Sequence, residues 1–247
     1  MAYLSNIELY YSPPDFFNGK SVKVTGDEFL HLSRVMRHKI DDVIYVTNGC
    51  GKIFTCKIVY LDKTFLSAEI LSFETYQNKF KSIYFCIPKL KNPERFEFAL
   101  EKCVELGITN FIIFESLRTV AKSNKVERWE KLLLSAMKQS LRSFLPKIHS
   151  IINFKSILEL DGVKIFFEQN AEKKLSDLKY SDDKLYYFIF GPEGGLDKNE
   201  IESAGTENLF QLTENRLRSE TAIVFAASQL NQINITSTSL NRQENNK

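Results

Sequence analysis

Apolar residues fall in two rhythms along this chain, and the change between them marks a boundary. Up to residue 72 they come in short runs. Ile7–Tyr11, Ser21–Val24, Val43–Val46, Ile53–Val59 and Thr64–Ile70 are β-branched or aromatic stretches separated by Gly, Asp and Asn, the pattern of short strands. Between the second and third runs, Phe29, Leu30, Leu32 and Met36 give Asp27–Arg37 a helical stripe. Short strands at such close spacing predict a small β-barrel.

The polar stretch Glu74–Lys81 reads as a linker, and after it strand and helix alternate. Ile83–Ile87 is a strand. Asn92 suits an N-cap and Pro93 the first helical position. Phe96, Ala99, Leu100, Cys103 and Val104 then share one helix face, and Gly107 closes that helix. Phe111–Phe114 is a strand. Val126–Leu145 reads as one long helix with Trp129, Leu132, Leu133, Met137 and Leu141 inward, stopped by Pro146. Val163–Phe167, Leu185–Phe190 and Leu209–Leu212 are further strands. Asp197 caps a short helix through Ser203, and Ser219 caps a final one with Ala222, Ile223, Phe225, Ala226 and Leu230 apolar. Alternating strands and helices predict an α/β domain with a mainly parallel sheet covered on both faces. The expected division is 1–73 barrel, 74–81 linker, 82–236 α/β domain and 237–247 polar tail, frayed from about Thr236.

Composition changes this picture only locally. The 247 residues carry a net charge of +2, which announces no partner. The distribution is uneven, because Arg118–Lys147 holds eight basic and two acidic residues. Such a run is either a phosphate-binding surface or a solvated helix face. The four cysteines show no zinc-finger spacing and read as reduced thiols, with Cys86 and Cys103 in the core. The N-terminus has no charged and apolar leader, and no run reaches the 18 or so apolar residues of a membrane helix. The expectation is a cytoplasmic protein without a membrane span.

Several chemistries lack their motifs. No Gly-x-Gly-x-x-Gly follows the first α/β strand, no Walker glycine loop occurs, and no Gly-x-Ser-x-Gly elbow is present. His31, His38 and His149 are scattered without partners at ligand spacing, so no metal is expected. Two segments stand out. Gly191-Pro192-Glu193-Gly194-Gly195 follows a strand directly, where α/β sheets bind ligands. By itself it is equally a tight strand-to-helix turn. Asn215–Ala222 sets Arg216 and Arg218 beside a Ser219-Glu220 helix start. By itself this reads more readily as Glu220 favouring the helix N-terminus and Arg218 pairing with Glu220.

Taken in this order, the segments resemble the SPOUT methyltransferases, and within them the 16S rRNA uridine-N3 methyltransferase family. His31–Arg37 resembles the family's His-x-x-x-Val-Leu-Arg helix in a PUA-like barrel. Lys89-Leu90-Lys91 and Phe98–Gly107 resemble its basic loop and Lys-x-x-Glu-Leu-Gly helix. Glu115–Arg118 is a looser likeness, and Gln139-Ser140 with Arg142 is similar to Gln-Ser/Cys-x-Arg. Gly191–Gly195 and Leu217–Ala222 match Gly-Pro-Glu-Gly-Gly and Leu-Arg-Thr-Glu-Thr-Ala. Three positions depart from the pattern. Lys138 stands where relatives have Glu, Thr213 where they have Gly, and Arg216 where many have an apolar residue.

The resemblance implies a PUA-like barrel followed by a SPOUT domain with a trefoil knot, working as a homodimer. It implies methylation of N3 of a uridine in 16S rRNA of the small ribosomal subunit, with S-adenosylmethionine (SAM) as cofactor. Ile189, Gly191, Glu193, Gly194, Gly195, Leu212, Arg216 and Leu217 would contact the cofactor. Arg218 is the candidate to stabilise charge on a uracil oxygen and Glu220 the candidate to take the N3 proton. His31, Arg34, Arg37, Lys89, Lys91, Arg118, Lys122 and Arg142 would face RNA. The rival reading is an RNA-binding protein that keeps the fold without the chemistry, and the Lys138 and Thr213 departures are its support.

Overall fold

The computed structural model describes residues 7–119, 125–181, 183–202 and 208–244, with side chains as far as residue 232. The chain forms two compact units, Met1–Asn78 with Leu134–Leu145 and Lys79–Leu133 with Pro146–Lys247.

In the first unit β1 (Leu9–Tyr11), β2 (Ser21–Thr25), β3 (Val43–Thr47), β4 (Lys52–Leu61) and β5 (Phe65–Thr75) form one sheet in the order β1-β3-β4-β5-β2. The β1–β3 pair is parallel and the others are antiparallel. Among the described residues no backbone ladder joins β1 to β2. The Ser12 hydroxyl spans that gap by donating to the Lys23 carbonyl at 2.6 Å. Period-two alternation buries Val22, Val24, Ile44, Val46, Cys56, Ile58, Leu66 and Ala68 on one face, against Phe29 and Leu32. Those two side chains come from α1 (Gly26–Leu30), which continues as a π-helical turn over His31–Val35. The sequence predicted a regular helix there. Instead the Met36 N–H donates to the His31 carbonyl, five residues back, and Arg37 follows at φ +56°.

The long helix expected over Val126–Leu145 stops sooner. α3 covers Val126–Gln139, and the chain then turns through Leu141 at φ +54°. The Leu141 N–H donates to Lys138 O and the Arg142 N–H to Met137 O, which is a Schellman termination. A glycine normally marks that stop. Here a leucine occupies the left-handed position, so no sequence signal reveals it. The freed segment pairs within the first unit. Gly51 N–H donates to Ser143 O at 2.8 Å and Leu145 N–H to Gly49 O at 2.9 Å. Lys138 forms an ion pair with Glu28, and Glu28 Oε2 in turn accepts from the Tyr11 N–H. The first of the three departures thus has a structural partner of its own.

In the second unit β6 (Ile83–Pro88), β7 (Asn110–Glu115), β8 (Lys147–Asn153), β9 (Val163–Phe167), β10 (Lys173–Lys174), β11 (Tyr186–Ile189) and β12 (Leu209–Gln211) form a seven-stranded sheet, ordered β10-β12-β9-β11-β6-β7-β8. Every pair is parallel. Central strands buried on both faces read as continuous apolar runs, and β11 is buried throughout. α2 (Pro93–Glu105) begins as expected, with Asn92 Oδ1 accepting from the Glu94 and Arg95 N–H groups. Gly107 follows it at φ +94°. The sequence reading missed β8 and α4 (Phe154–Glu159). β8 is an edge strand, only half-covered, so its isoleucines carry no clean alternation. α5 (Lys198–Glu202) has Asp197 Oδ1 accepting from Asn199 N–H, and Ser203 lies outside the described residues. α6 (Ser219–Glu244) runs past Thr236, where regular structure was expected to end. Among the described residues no helix is long and apolar enough to cross a membrane.

Gly51 sits at φ +94°, and a Cβ there would lie 2.5 Å from the Phe144 ring. Gly51→Ala should therefore cost about 2 kcal/mol of stability, from backbone strain and from displacing Phe144. A urea denaturation curve reads this directly, and an unchanged midpoint would show that the 142–145 segment does not pack as described.

Candidate active site

In a parallel sheet all carboxyl ends open on one edge, and ligands bind outside that edge. Four adjacent strands, β12, β9, β11 and β6, deliver their following loops there side by side. These loops are Leu212–Arg218, Glu168–Gln169, Gly191–Gly195 and Lys89–Asn92. The first three, with Arg95 and the first turn of α6, enclose a cavity of about 630 Å³. Phe167, Phe190, Leu212 and Leu217 give it apolar wall, and Arg216, Arg218, Glu168 and Glu193 give it charge.

The glycine loop is held at three points. The Ser219 hydroxyl donates to Gly191 O at 2.6 Å. The Lys91 N–H donates to Glu193 Oε1 at 2.8 Å. Arg118 donates to Gly194 O at 2.7 Å and pairs with Asp197 at 3.2 Å. Gly195 needs to be glycine for its φ of +70°. At Gly191 an added Cβ would press on the backbone of Gly195 and Leu196 at 3.2–3.4 Å.

Ser219 is thus the first residue of α6 rather than its cap, because its hydroxyl reaches the glycine loop. Glu220 corrects a second expectation. Its partner is Arg95 Nε at 3.5 Å, not Arg218. Glu220 is only 8% exposed, and its Oε2 is buried without a hydrogen-bond partner among the described residues. A buried carboxylate oxygen left unmatched is costly unless a ligand supplies a donor.

Of the expected cofactor residues, Gly191, Glu193, Gly194, Gly195, Leu212, Arg216 and Leu217 line the cavity together with Arg218 and Glu220. Ile189 does not line it, being fully buried in the sheet at the end of β11. Thr213 lines the wall, its hydroxyl oxygen accepting from the Asn215 N–H at 3.4 Å. Sequence reasoning missed Arg95, Phe167, Glu168 and Gln169. The order of the strands was the signal needed, since β9 lies between β12 and β11 while its loop carries no motif.

The basic residues expected to face RNA are dispersed. Lys89 is buried, its ammonium held by Glu115, so its side chain does not reach the surface. Lys91 is exposed, and Arg118 spends its guanidinium on the glycine loop. In the first unit Arg34 and Arg37 are exposed, and His31 Nε2 pairs with Glu8 at 2.6 Å. Burial depresses the basicity of the Arg142 guanidinium. Lys122 lies outside the described residues. All four cysteines are free thiols. Burial pushes the Cys56 thiol up to about 12 and those of Cys86 and Cys103 still further, which disqualifies them as nucleophiles. Among the described residues no group of three or more His, Cys, Asp or Glu could hold a metal.

A glycine-cradled cavity at the carboxyl edge of an all-parallel sheet, following a small mixed-sheet unit, has a counterpart among known proteins. Residues 77–231 match the family described as the RNA methyltransferase domain, and residues 24–71 match the RNA methyltransferase PUA domain. The chain belongs to this RNA methyltransferase family. Among its relatives, ribosomal RNA small subunit methyltransferase E of Bacillus subtilis is 26% identical over 225 residues, covering 83% of this chain and 87% of the relative. The crystal structure of the Neisseria gonorrhoeae ribosomal RNA small subunit methyltransferase E, bound to S-adenosyl methionine, is similar with a TM-score of 0.82 and 27% identity. That match covers 92% of this chain and 98% of the other. A probable rRNA-methyltransferase of Porphyromonas gingivalis follows with a TM-score of 0.79, 29% identity and the same coverage of both chains.

The Ser219 bond joins the two motif loops, so Ser219→Ala should lower stability by about 1 kcal/mol. Chemical denaturation measures it, and a parent-like midpoint would mean that the glycine loop is not anchored there.

Proposed function

We propose that this chain transfers a methyl group from SAM to N3 of a uridine in the 16S rRNA of the small ribosomal subunit. The observation that carries this reading is a cofactor-sized, glycine-cradled cavity whose lining includes Glu220, a carboxylate with one buried oxygen left unpartnered. Support also comes from the SAM bound to the similar Neisseria protein and from the small-subunit function in the Bacillus relative's name. Action as a homodimer in the cytoplasm, and a trefoil-knotted chain path in the second unit, belong to the same reading.

The residues present fit the cofactor. The cavity volume lies within the ~300–1,000 Å³ usual for small-molecule sites. Gly194 and Gly195 add no side chain to the wall, so a ligand can approach their backbone. Phe167, Phe190, Leu212 and Leu217 suit an adenine ring and the aliphatic part of the methionine chain. Glu168 and Glu193 balance a sulfonium and an ammonium, and Arg216 balances a carboxylate. Bound SAM supplies a methyl group already activated by its sulfonium.

The protein's task is then alignment and proton management. A uracil N3–H is a weak acid and a poor nucleophile until its proton leaves. In this reading Glu220 Oε2 accepts that proton, and Arg218, exposed at the cavity mouth, donates to a uracil carbonyl oxygen as negative charge grows there. Arg95 pairs with the other oxygen of Glu220, which leaves Oε2 without a competing partner. N3 lies on the pairing edge of the base, so the nucleotide must enter unpaired.

Three outcomes test this. Gly194→Val should abolish SAM binding in calorimetry, since a Cβ there already touches Arg118 at 3.4 Å and the added branch would crowd the backbone that lines the cavity. Arg218→Lys should lower single-turnover methylation of 30S subunits about 100-fold, because lysine keeps the charge but loses the planar fork. SAM affinity and melting temperature should stay near the parent's, and their joint loss would make Arg218 a brace instead. Arg95→Ala should slow turnover in the parent yet add little in a Glu220→Gln background. Additive losses would separate Arg95 from Glu220.

A further inference from the structure

A neighbouring basin of about 720 Å³ opens at the start of α2, lined by Lys91, Asn92, Pro93, Glu94, Arg95, Arg128 and Glu193. It shares Arg95 and Glu193 with the cavity described above, so the two meet at those side chains. The helix amides are not what it offers, because Asn92 already accepts from the N–H groups of Glu94 and Arg95. Its donors are side chains. The Lys91 ammonium has no ion pair among the described residues. Arg128 is held by Glu97 at 2.6 Å through one nitrogen, while its side chain remains 61% exposed.

Beyond the basin, α3 presents a run of exposed cations. At 100° per residue, Lys125, immediately before the helix, and Arg128 and Lys131 within it lie within about 120° of each other on one flank. Glu130 falls on the far side, beyond the buried face of Trp129 and Leu133, while Glu127 lies about 40° from Lys131 at the edge of the basic flank. All three basic residues are exposed. Helix charges usually alternate to form i, i+4 pairs. Glu127 and Lys131 stand at that spacing yet form no ion pair among the described residues, so the cations of this flank stay open to a ligand as it leads away from Arg95 and Glu193, the side chains the two cavities share. A polyanion whose one unit sits in the cavity would run along that flank.

We propose that single-stranded RNA enters the methyl-transfer cavity through this basin, its phosphodiester backbone lying on Lys91, Arg128 and the Lys125–Lys131 flank of α3. The inference rests on the reading of the cavity given above and specifies the path of its substrate. Glu193 and Arg95 form the threshold over which the target nucleotide leaves the strand.

The test is binding of the full chain to a single-stranded oligouridylate, titrated with salt. Each phosphate contact to a single strand contributes ~0.7 to the slope of log K against log salt. The triple variant Lys91→Gln, Arg128→Gln, Lys131→Gln should therefore reduce the slope by about two and weaken binding about tenfold or more near 0.1 M salt. Glutamine at 128 keeps an N–H donor for Glu97. The matched control, Lys155→Gln, Lys173→Gln, Lys174→Gln, removes the same charge from α4 and from β10 at the far edge of the sheet. It should leave the slope at the parent's value. Equal losses in both triples, or no loss in the first, would overturn the path. If the first triple does not fold, Lys91→Glu alone serves, with a smaller loss expected and parent affinity overturning the proposal. Methylation of 30S subunits by the parent is a separate measurement, and its absence would sink the proposed reaction while leaving the binding result to stand on its own.

Discussion

The parallel pairing of β11 between β9 and β6 is the constraint on which the site depends. Register aligns Tyr186–Ile189 with Val163–Phe166 on one side and Ile83–Cys86 on the other. Both faces are buried, so a one-residue slip would move a whole set of aromatic and aliphatic side chains to the wrong layer. Phe188, stacked on Phe85, and Phe190, stacked on Phe167, lock that register with ring contacts across neighbouring strands. Because the ends of these strands cannot move independently, the loops that follow them cannot drift apart either.

Rigidity at the strand ends is passed to the glycine loop by polar contacts rather than by packing. Glycines contribute no side chains, so the loop relies on Ser219, Arg118 and the Lys91 amide for its shape. This explains why the two motif segments occur together. The α6 segment supplies the hydroxyl that holds the glycine segment, and the glycine segment leaves the space that α6's Glu220 faces. Neither segment has its meaning alone, which is why each, read singly, is equally an ordinary turn or helix start.

The fold was legible where periodicity is strong and caps are conventional. The five strands of the first unit, Asn92 with Pro93, and Gly107 all announced themselves through local chemistry. Legibility failed where structure is set by partners distant in sequence. A leucine ends α3 because the residues after it pair with Gly49 and Gly51. β8 survives half-exposed because β7 supplies its ladder. The site followed the same division. Residues on the two motif segments were found, and their placement follows from their neighbours in sequence. Arg95 and the Phe167–Gln169 loop come from elements without motifs and are brought in by strand order alone. Lys89 failed for a different reason. A lysine beside a sheet end reads as a surface charge, whereas here a carboxylate at the end of the adjacent strand draws it inside.

The leucine stop at residue 141 has a consequence for how the protein is made. The first unit contains residues 134–145, so it is not contiguous in the chain. During synthesis the five strands emerge long before the segment that completes their hydrogen bonding. Until that segment arrives, the Gly51 N–H and Gly49 carbonyl have only water as partners, and Glu28 lacks its lysine. The N-terminal unit therefore cannot close when its own strands emerge, but only after residues 79–133 of the second unit have been made as well. It waits on α3, an element whose first half belongs to the second unit, and the second unit in turn waits on everything after Pro146.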